Sequence, residues 1–380
     1  MFNRVRSSAA VGTILAVALV LGSVPASADP ATLYSPTPRN GWGHDGTAYA
    51  VEIVGDTVYV GGAFANAVRG SQPPKPRANI MALQLSTGTV LEEPQFKAWT
   101  NGTVRSIVWD GGQHLYIGGD FTTVNDVPRN RVARLDLAGN LTGFDVNANN
   151  VVRDLLVVGN TLYMVGDFNK VKGVTRKRAA AINLVDDSVT GFDPNLSNKT
   201  YALAMSPAGR LYVGGNFTTV RGAPRSFLTQ VDPMTGDMLG PAFAQLNSLV
   251  LDLSVTDSQV FAGVDGGMNS VAEWNPDSGA RLWRQQANGD VQAVRYDGGN
   301  VYFGFHDGFG GNTTLRVLAA DANPGSPLPD GTVEPGFQPV SGGGVGVWGI
   351  DSDGQYLVVV GKFPKMGGFN VKGISIHPRP

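Results

Sequence analysis

The stretch Leu115-Tyr-Ile-Gly-Gly-Asp-Phe121, followed by Thr-Thr-Val-Asn-Asp-Val-Pro and then Arg129-Asn-Arg-Val-Ala-Arg-Leu-Asp136, reads as a strand, a loop and a second strand. The same phrase returns at Leu162 to Phe168 with Arg176 to Asn183 behind it, and at Leu211 to Phe217 with Arg225 to Asp232 behind it. An earlier copy, Val58 to Phe64, has a longer loop before Arg77. Taking the second Gly of each Gly-Gly phrase, or its equivalent, as a marker gives Gly62, Gly119, Gly166, Gly215, Gly263, Gly304 and Gly361, spaced 41 to 57 residues apart. A repeat of that length built from strand signals alone predicts propeller blades. The expected fold is all-β, a seven-bladed β-propeller, with the fifth and sixth units degenerate.

Each unit parses into strands separated by tight turns. In the second, Thr103 to Trp109, His114 to Gly119, Arg131 to Asp136 and Leu141 to Phe144 are the four expected strands. Turns such as Gly55-Asp56, Gly159-Asn160 and Asp353-Gly354 tolerate positive φ. No helix-length amphipathic period occurs after Thr47. The seventh unit supplies only three strands before Pro380, and an open edge would invite association. The N-terminal segment around Ala31 to Ser35 is therefore expected to complete the last blade.

Composition narrows the function classes. The chain has 380 residues, 42% hydrophobic and 16% charged, with 51 Gly that follow no collagen period and so mark turns. Residues 1–28 read as a secretory signal: Arg4 and Arg6, an uncharged Ala9 to Val24, then Ala26-Ser-Ala28. The apolar run is shorter than the ~20 residues of a membrane span. Residues 29–47 form an N-terminal segment and 48–380 the repeat domain. Removing residues 1–28 takes the formal charge from −2 to −4. Mild acidity without charge blocks argues against nucleic acid and anionic membranes. Cysteine is absent, so stability must rest on core size and sheet pairing. A secreted monomer, extracellular or cell-wall associated, is expected.

The phrase Tyr-Val-Gly-Gly-X-Phe, a loop, Arg, a strand ending Ala-Arg-Leu-Asp, and then Gly-Phe-Asp-Pro resembles the delta-60 repeat family, bacterial β-propeller repeats related to those of fungal cortical polarity markers. The residues that carry it are Gly118 to Phe121 with Arg129 and Arg134 to Asp136, Gly166 to Phe168 with Arg176, Gly214 to Phe217 with Arg225, and the linkers Gly143-Phe-Asp145 and Gly191-Phe-Asp-Pro194. The resemblance is strong over residues 48–232, weak over 240–320 and partial thereafter. It implies the fold and assigns no reaction.

Candidate chemistry is sparse. The repeated Arg77, Arg129, Arg176 and Arg225 suit an anion ring, but one per unit reads as a loop-fixing element, paired with Asp120, Asp167 or a carbonyl. The Gly-Gly pairs lack the residues of a phosphate loop and are read as sites of close backbone approach. His44, His114, His306 and His377 are scattered, without metal-ligand spacing. Asp265-Gly-Gly and Asp307-Gly-Phe-Gly-Gly leave calcium as an alternative to plain turns. The phrases around Trp274 to Trp283 and Val231 to Leu239 resemble quinoprotein hairpins, though no adjacent Cys pair accompanies them. No cofactor is expected. No Gly-x-Ser-x-Gly occurs.

The remaining candidates lie on first strands, which would line the axis: Arg105, Arg153, Asp154, Asp252, Gln292 and Trp348. Their mutual pairing across water is the plain reading, and a polar ligand at the channel mouth is the functional one. Trp99, on a linker expected at the ligand face, would suit sugar stacking. The leading expectation is a non-enzymatic binding module for a glycan, such as cell-wall polysaccharide, or an extracellular protein. The alternative is an enzyme, a lyase, hydrolase or quinone-dependent oxidoreductase, with its site in the axial funnel. A deep pocket with two carboxylates or a His cluster converging there would favour the enzyme, and a flat or water-filled channel ringed by paired Arg and Asp the binder.

Overall fold

Leu115 and Ile117 of the repeated phrase alternate with residues that face the other way, and both faces of this strand are buried. A strand buried on both sides belongs between two layers, and the computed structural model shows how those layers are supplied. It describes residues 32–323, 326 and 328–380. The fold is all-β, built of many antiparallel sheets. Seven principal sheets follow one another in the sequence, and each contains one marker glycine in its second strand. Sheets 1 to 5 begin with the strands Thr47–Val54, Val104–Trp109, Val152–Val158, Thr200–Met205 and Val250–Val255 and have four strands each. Sheets 6 and 7 begin with Val291–Asp297 and Gly346–Ser352 and have three. In sheet 6 a single bridge, Ala320 to Val333, stands where a fourth strand would run. Among the described residues no helix is long and apolar enough to cross a membrane.

The first strand of each sheet lies against the first strand of the next, and that of sheet 7 lies against that of sheet 1. Seven hydrophobic clusters fill the seven junctions, including one in which Val358, Val360, Ile374 and Ile376 of sheet 7 meet Val51, Val58 and Met81 of sheet 1. The phenylalanine that ends the repeated phrase enters these junctions, and Phe121, Phe168 and Phe217 are fully buried. The repeated tyrosine packs edge-on against the linker phenylalanine, as in Tyr116–Phe144, Tyr163–Phe192 and Tyr302–Phe337, with ring centroids 5.2–5.4 Å apart. The two halves of the repeat are thus one packing unit.

First strands of neighbouring sheets are not hydrogen-bonded to each other as a ladder. Their facing N–H groups need other acceptors, and side chains from the preceding first strand supply them. Glu52 accepts from Trp109 N, Ser106 from Leu155 N, Asp154 from Leu203 N, Asp252 from Val294 N and Asp351 from Ile53 N.

The expected closing strand takes a different form. Ala31 lies outside the described residues, and residues 32–35 form no strand. Contact with the last strand, Ile374–Pro378, runs instead from Ser35 to Arg39. Ser35 N donates to Pro378 O and Arg39 N to Ile376 O, both at 2.8 Å, with one bridge between Arg39 and Ile376. Thr37 N turns back to its neighbour Ser35 Oγ, which interrupts the ladder. Pro36 and Pro38 occupy the alternate positions and have no N–H to offer a further strand, which blunts this edge.

Candidate functional site

Every first strand carries a bulge at the same place. The register slips by one residue between Ala48 and Ala50, Val104 and Ser106, Val152 and Asp154, Thr200 and Ala202, Val250 and Asp252, Val291 and Ala293, and Val347 and Gly349. The extra residues are Tyr49, Arg105, Arg153, Tyr201, Leu251, Gln292 and Trp348, one per sheet. A bulge re-aims its side chain, and all seven line a single pocket of about 200 Å³ together with Ser106, Asp154, Asp252 and their apolar neighbours.

In sheets 1 to 4 and 7 a glycine faces the bulge, whereas in sheets 5 and 6 Val264 and Phe305 stand at that position and the bulge forms all the same. A Cβ on Gly119 would lie 2.0 Å from Thr103 O, and one on Gly62, Gly166 or Gly361 would lie 2.2 Å from the carbonyl facing it. The first glycine of the pair accommodates the next sheet: a Cβ on Gly61 or Gly214 would lie 2.5 Å from Cγ1 of Val104 or Val250. Close backbone approach, expected from the sequence, therefore has a purpose at the site. In five of the seven sheets it makes room beside the residue that stands out of register and faces the pocket.

Two cations are fixed at the pocket wall. Arg153 Nε and Nη2 bond both oxygens of Asp167 at 2.8 and 2.9 Å, and its guanidinium lies 4.6 Å over the Tyr201 ring. Arg105 Nη2 bonds Asp120 at 3.1 Å and sits 5.4 Å from the Tyr49 ring. Lys199 Nζ approaches Asp167 at 3.9 Å. Asp120 and Asp167 directly follow the second strands, so the pocket opens on the side of those loops. Trp348 meets Tyr49 edge-on at 5.8 Å, with His306 on another side at 4.6 Å.

The pocket's two carboxyls are engaged. Asp154 Oδ1 accepts from Ser106 Oγ and Leu155 N, and Oδ2 accepts from Leu203 N. Asp252 accepts from Leu253 N and Val294 N, one on each oxygen. Burial pushes Asp154 up to about 6 and Asp252 up to about 7 against the pull of these bonds. Further along the same strands, burial raises Glu52 and Asp351, which face each other, and Arg295 pairs with Asp351 at 3.1 Å.

Of the seven sequence candidates, the structure brings Arg105, Arg153, Asp154, Asp252, Gln292 and Trp348 into one pocket. They do not pair with one another, which corrects the plain reading of the set. The arginines use loop aspartates, and the aspartates use backbone N–H groups. Trp99 is elsewhere, in a separate cavity of about 320 Å³ with Arg77, Glu93, Phe96 and Lys97. Tyr49, Tyr201 and Leu251 were missed. Their position one residue after a buried Ala, Thr or Val on the first strand is the signal that locates them, but it has meaning only once the bulge is known.

The other candidates resolve as structure. Arg77, Arg129, Arg176 and Arg225 donate to the carbonyls of Leu91, Thr142, Thr190 and Pro241, and not to Asp120 or Asp167. Trp274 and Trp283 are spoken for by Ala244 O and Glu273. His377 is buried between Ser375 and Ser35 O, and His114 pairs with Asp110. Asp265 and Asp307 face Asp290, which burial and Asp265 push up to about 7. Among the described residues no group of three or more His, Cys, Asp and Glu is arranged to hold a metal. The serine lining the pocket, Ser106, has an aspartate and a backbone N–H as its partners.

In comparisons with known proteins, a beta-propeller domain of unknown function (DUF5122) matches residues 114–141. That stretch runs from the second strand of sheet 2 to the start of its fourth. No curated protein matches the chain significantly. Among solved structures it is similar to the computationally designed Ika8 protein, at 12% identity and a TM-score of 0.53, with 91% of this chain and 100% of that one covered. At that identity the likeness is one of fold.

Proposed function

We propose that this chain is a closed seven-bladed β-propeller of delta-60 repeats, secreted as a monomer, that acts as a binding module outside the cell, on cell-wall polysaccharide or another surface component. The pocket at the ends of the seven first strands is its ligand site. The observation that carries this reading is the ring of seven bulged residues, because a purely structural repeat has no need to aim a different side chain from each sheet into one cavity. The apolar cluster joining sheet 7 to sheet 1 supports closure, and the match at residues 114–141 supports the repeat type. Arginines held by aspartates, and carboxyls whose oxygens already accept hydrogen bonds, favour recognition over proton transfer.

The test is a pull-down of glycans and cell-wall material with the mature chain, alongside Arg105→Ala/Arg153→Ala and Trp99→Ala variants. The double arginine variant is expected to lose binding, and Trp99→Ala, in a different cavity, to keep it. Capture that survives the loss of both arginines rejects the pocket as the site.

A further inference from the structure

The charged hydrogen-bonding groups left free at the pocket are of one kind, donors. Arg105 Nε is buried with no partner among the described residues. Arg105 uses only Nη2, and Arg153 only Nε and Nη2, on their aspartates. Gln292 Nε2 reaches Asp290 only at 3.4 Å, the long limit of a hydrogen bond. Against these donors the carboxyl acceptors are occupied, since Asp154 and Asp252 already receive N–H and O–H groups on every oxygen, which leaves only neutral acceptors, Gln292 Oε1 and the Tyr49 and Tyr201 hydroxyls. A ligand must then bring acceptors, and charged donors reward a charged acceptor most.

Charge and size narrow the class. Arg105, Arg153 and Lys199 stand against Asp120 and Asp167, an excess of a single positive charge at the wall. Burial shifts the carboxyls beneath toward their neutral forms, Asp154 to about 6 and Asp252 to about 7, so they leave this excess in place below about pH 6 and offset it above. That balance suits a monoanion and disfavours a dianion such as a phosphate monoester. The cavity, about 200 Å³, is smaller than the ~300–1,000 Å³ pockets that enclose drug-sized ligands. It has room for one ring. Tyr49, Tyr201 and Trp348 offer the aromatic surface on which the C–H face of a sugar rests. The aspartates hold the guanidiniums in place before any ligand arrives, which lowers the ordering cost of binding.

We infer that the axial pocket takes a single carboxylate-bearing sugar ring, a uronic acid, with Arg105 and Arg153 on the carboxylate and the aromatic residues under the ring. This rests on the reading of that pocket as the ligand site. The ring would be a free sugar acid or the terminal unit of an acidic polysaccharide.

The test is calorimetric titration of the mature chain with glucuronate, galacturonate, the methyl ester of glucuronate, glucose, inorganic phosphate and an acidic oligosaccharide ending in a uronate. At least one uronate is expected to bind, with its methyl ester and glucose at least tenfold weaker. Arg153→Gln and Arg105→Gln each lower uronate affinity about tenfold, equal to ~1.4 kcal/mol, and leave weak glucose binding unchanged. Tyr201→Ala lowers both, which keeps the test readable if an arginine variant folds poorly. Tighter binding of the oligosaccharide than of the monosaccharide assigns the polymer end as the source, and equal binding assigns the free acid. Either supports the inference. It is overturned if the ester or glucose binds as well as the acid, if phosphate outcompetes the uronates, or if neither uronate binds saturably. In each of those cases the pull-down decides the pocket reading separately. Cell-wall capture lost in the double arginine variant leaves the site standing with a different ligand.

Discussion

Asp351 Oδ2 accepts the backbone N–H of Ile53 at 2.8 Å, a bond between residues 298 positions apart. One side chain joins the first strand of the last sheet to the first strand of the first. Its other oxygen holds Arg295 of sheet 6 at 3.1 Å, so three sheets meet at one carboxylate.

Asp351→Ala strands the buried Ile53 N–H, while Arg295, partly exposed, keeps its two bonds to Ser352. It is expected to lower stability by about 1–3 kcal/mol, read from the urea midpoint at constant slope. A loss below about 1 kcal/mol would mean that the apolar cluster at this junction holds the sheets without it.

Two glycines from the same sheet separate the bulge from general backbone effects. Gly119→Ala places a methyl 2.0 Å from Thr103 O, and backbone must move. A cost of about 2 kcal/mol or more is expected, with weaker ligand binding because Arg105 shifts. Gly143 has no atom within 4 Å of its added Cβ, so Gly143→Ala should fall within about 0.5 kcal/mol of the parent. Equal effects at both positions would remove the bulge from the explanation.

Tyr34 is the anchor of the N-terminal segment. It is 1% exposed, bonds Asp297 through its hydroxyl, and lies under the Arg379 guanidinium at 4.2 Å. Tyr34→Ala should cost about 3–5 kcal/mol, and deletion of residues 29–40 should lower Tm by many degrees. An unchanged melting curve for the deletion would show that the edge of sheet 7 needs no cover.

Stability should fall as pH rises from 6.5 to 8. Burial pushes Asp252 and Glu273 up to about 7 and raises Glu52. Each favours folding while protonated, so its contribution is full below its unfolded pKa near 4 and lost as pH climbs through its folded value. Buried His44 and His377 are pushed down to about 4 and act in the opposite sense. Their contribution is lost as pH falls from 6.5 toward 4 and is complete above 6.5, which leaves the carboxyls to set the slope there. Asp252→Asn should flatten the fall in Tm between pH 6.5 and 8. A wild-type Tm that stays level over that range contradicts the assignment.

The repeated phrase made the strands legible, and in sheet 2 the expected spans match the observed Val104–Trp109, His114–Gly119, Val132–Asp136 and Leu141–Asp145 within about one residue. It also made the junction phenylalanines legible, because an apolar residue recurring at one offset must have a recurring neighbour. Six pocket residues were reachable by asking which polar residues lie on first strands. Trp99 was not, since a linker's path depends on the loop it crosses. The segment from Ser35 to Arg39 was misplaced by a few residues because alternation suggests a strand wherever prolines are few, and here Pro36 and Pro38 decide which N–H groups exist.

The sequence by itself determined seven β units, their order and the turn and core residues of each, because those depend on local periodicity and on contacts that recur with the repeat. Tertiary structure alone decided which side chains share a cavity. A one-residue slip in register changes the face that a residue presents, and no local pattern records a slip made seven times against seven different partners. The pocket of Tyr49, Arg105, Arg153, Tyr201, Leu251, Gln292 and Trp348 exists only because seven bulges, five of them facing a glycine on the neighbouring strand, turn those residues toward one another.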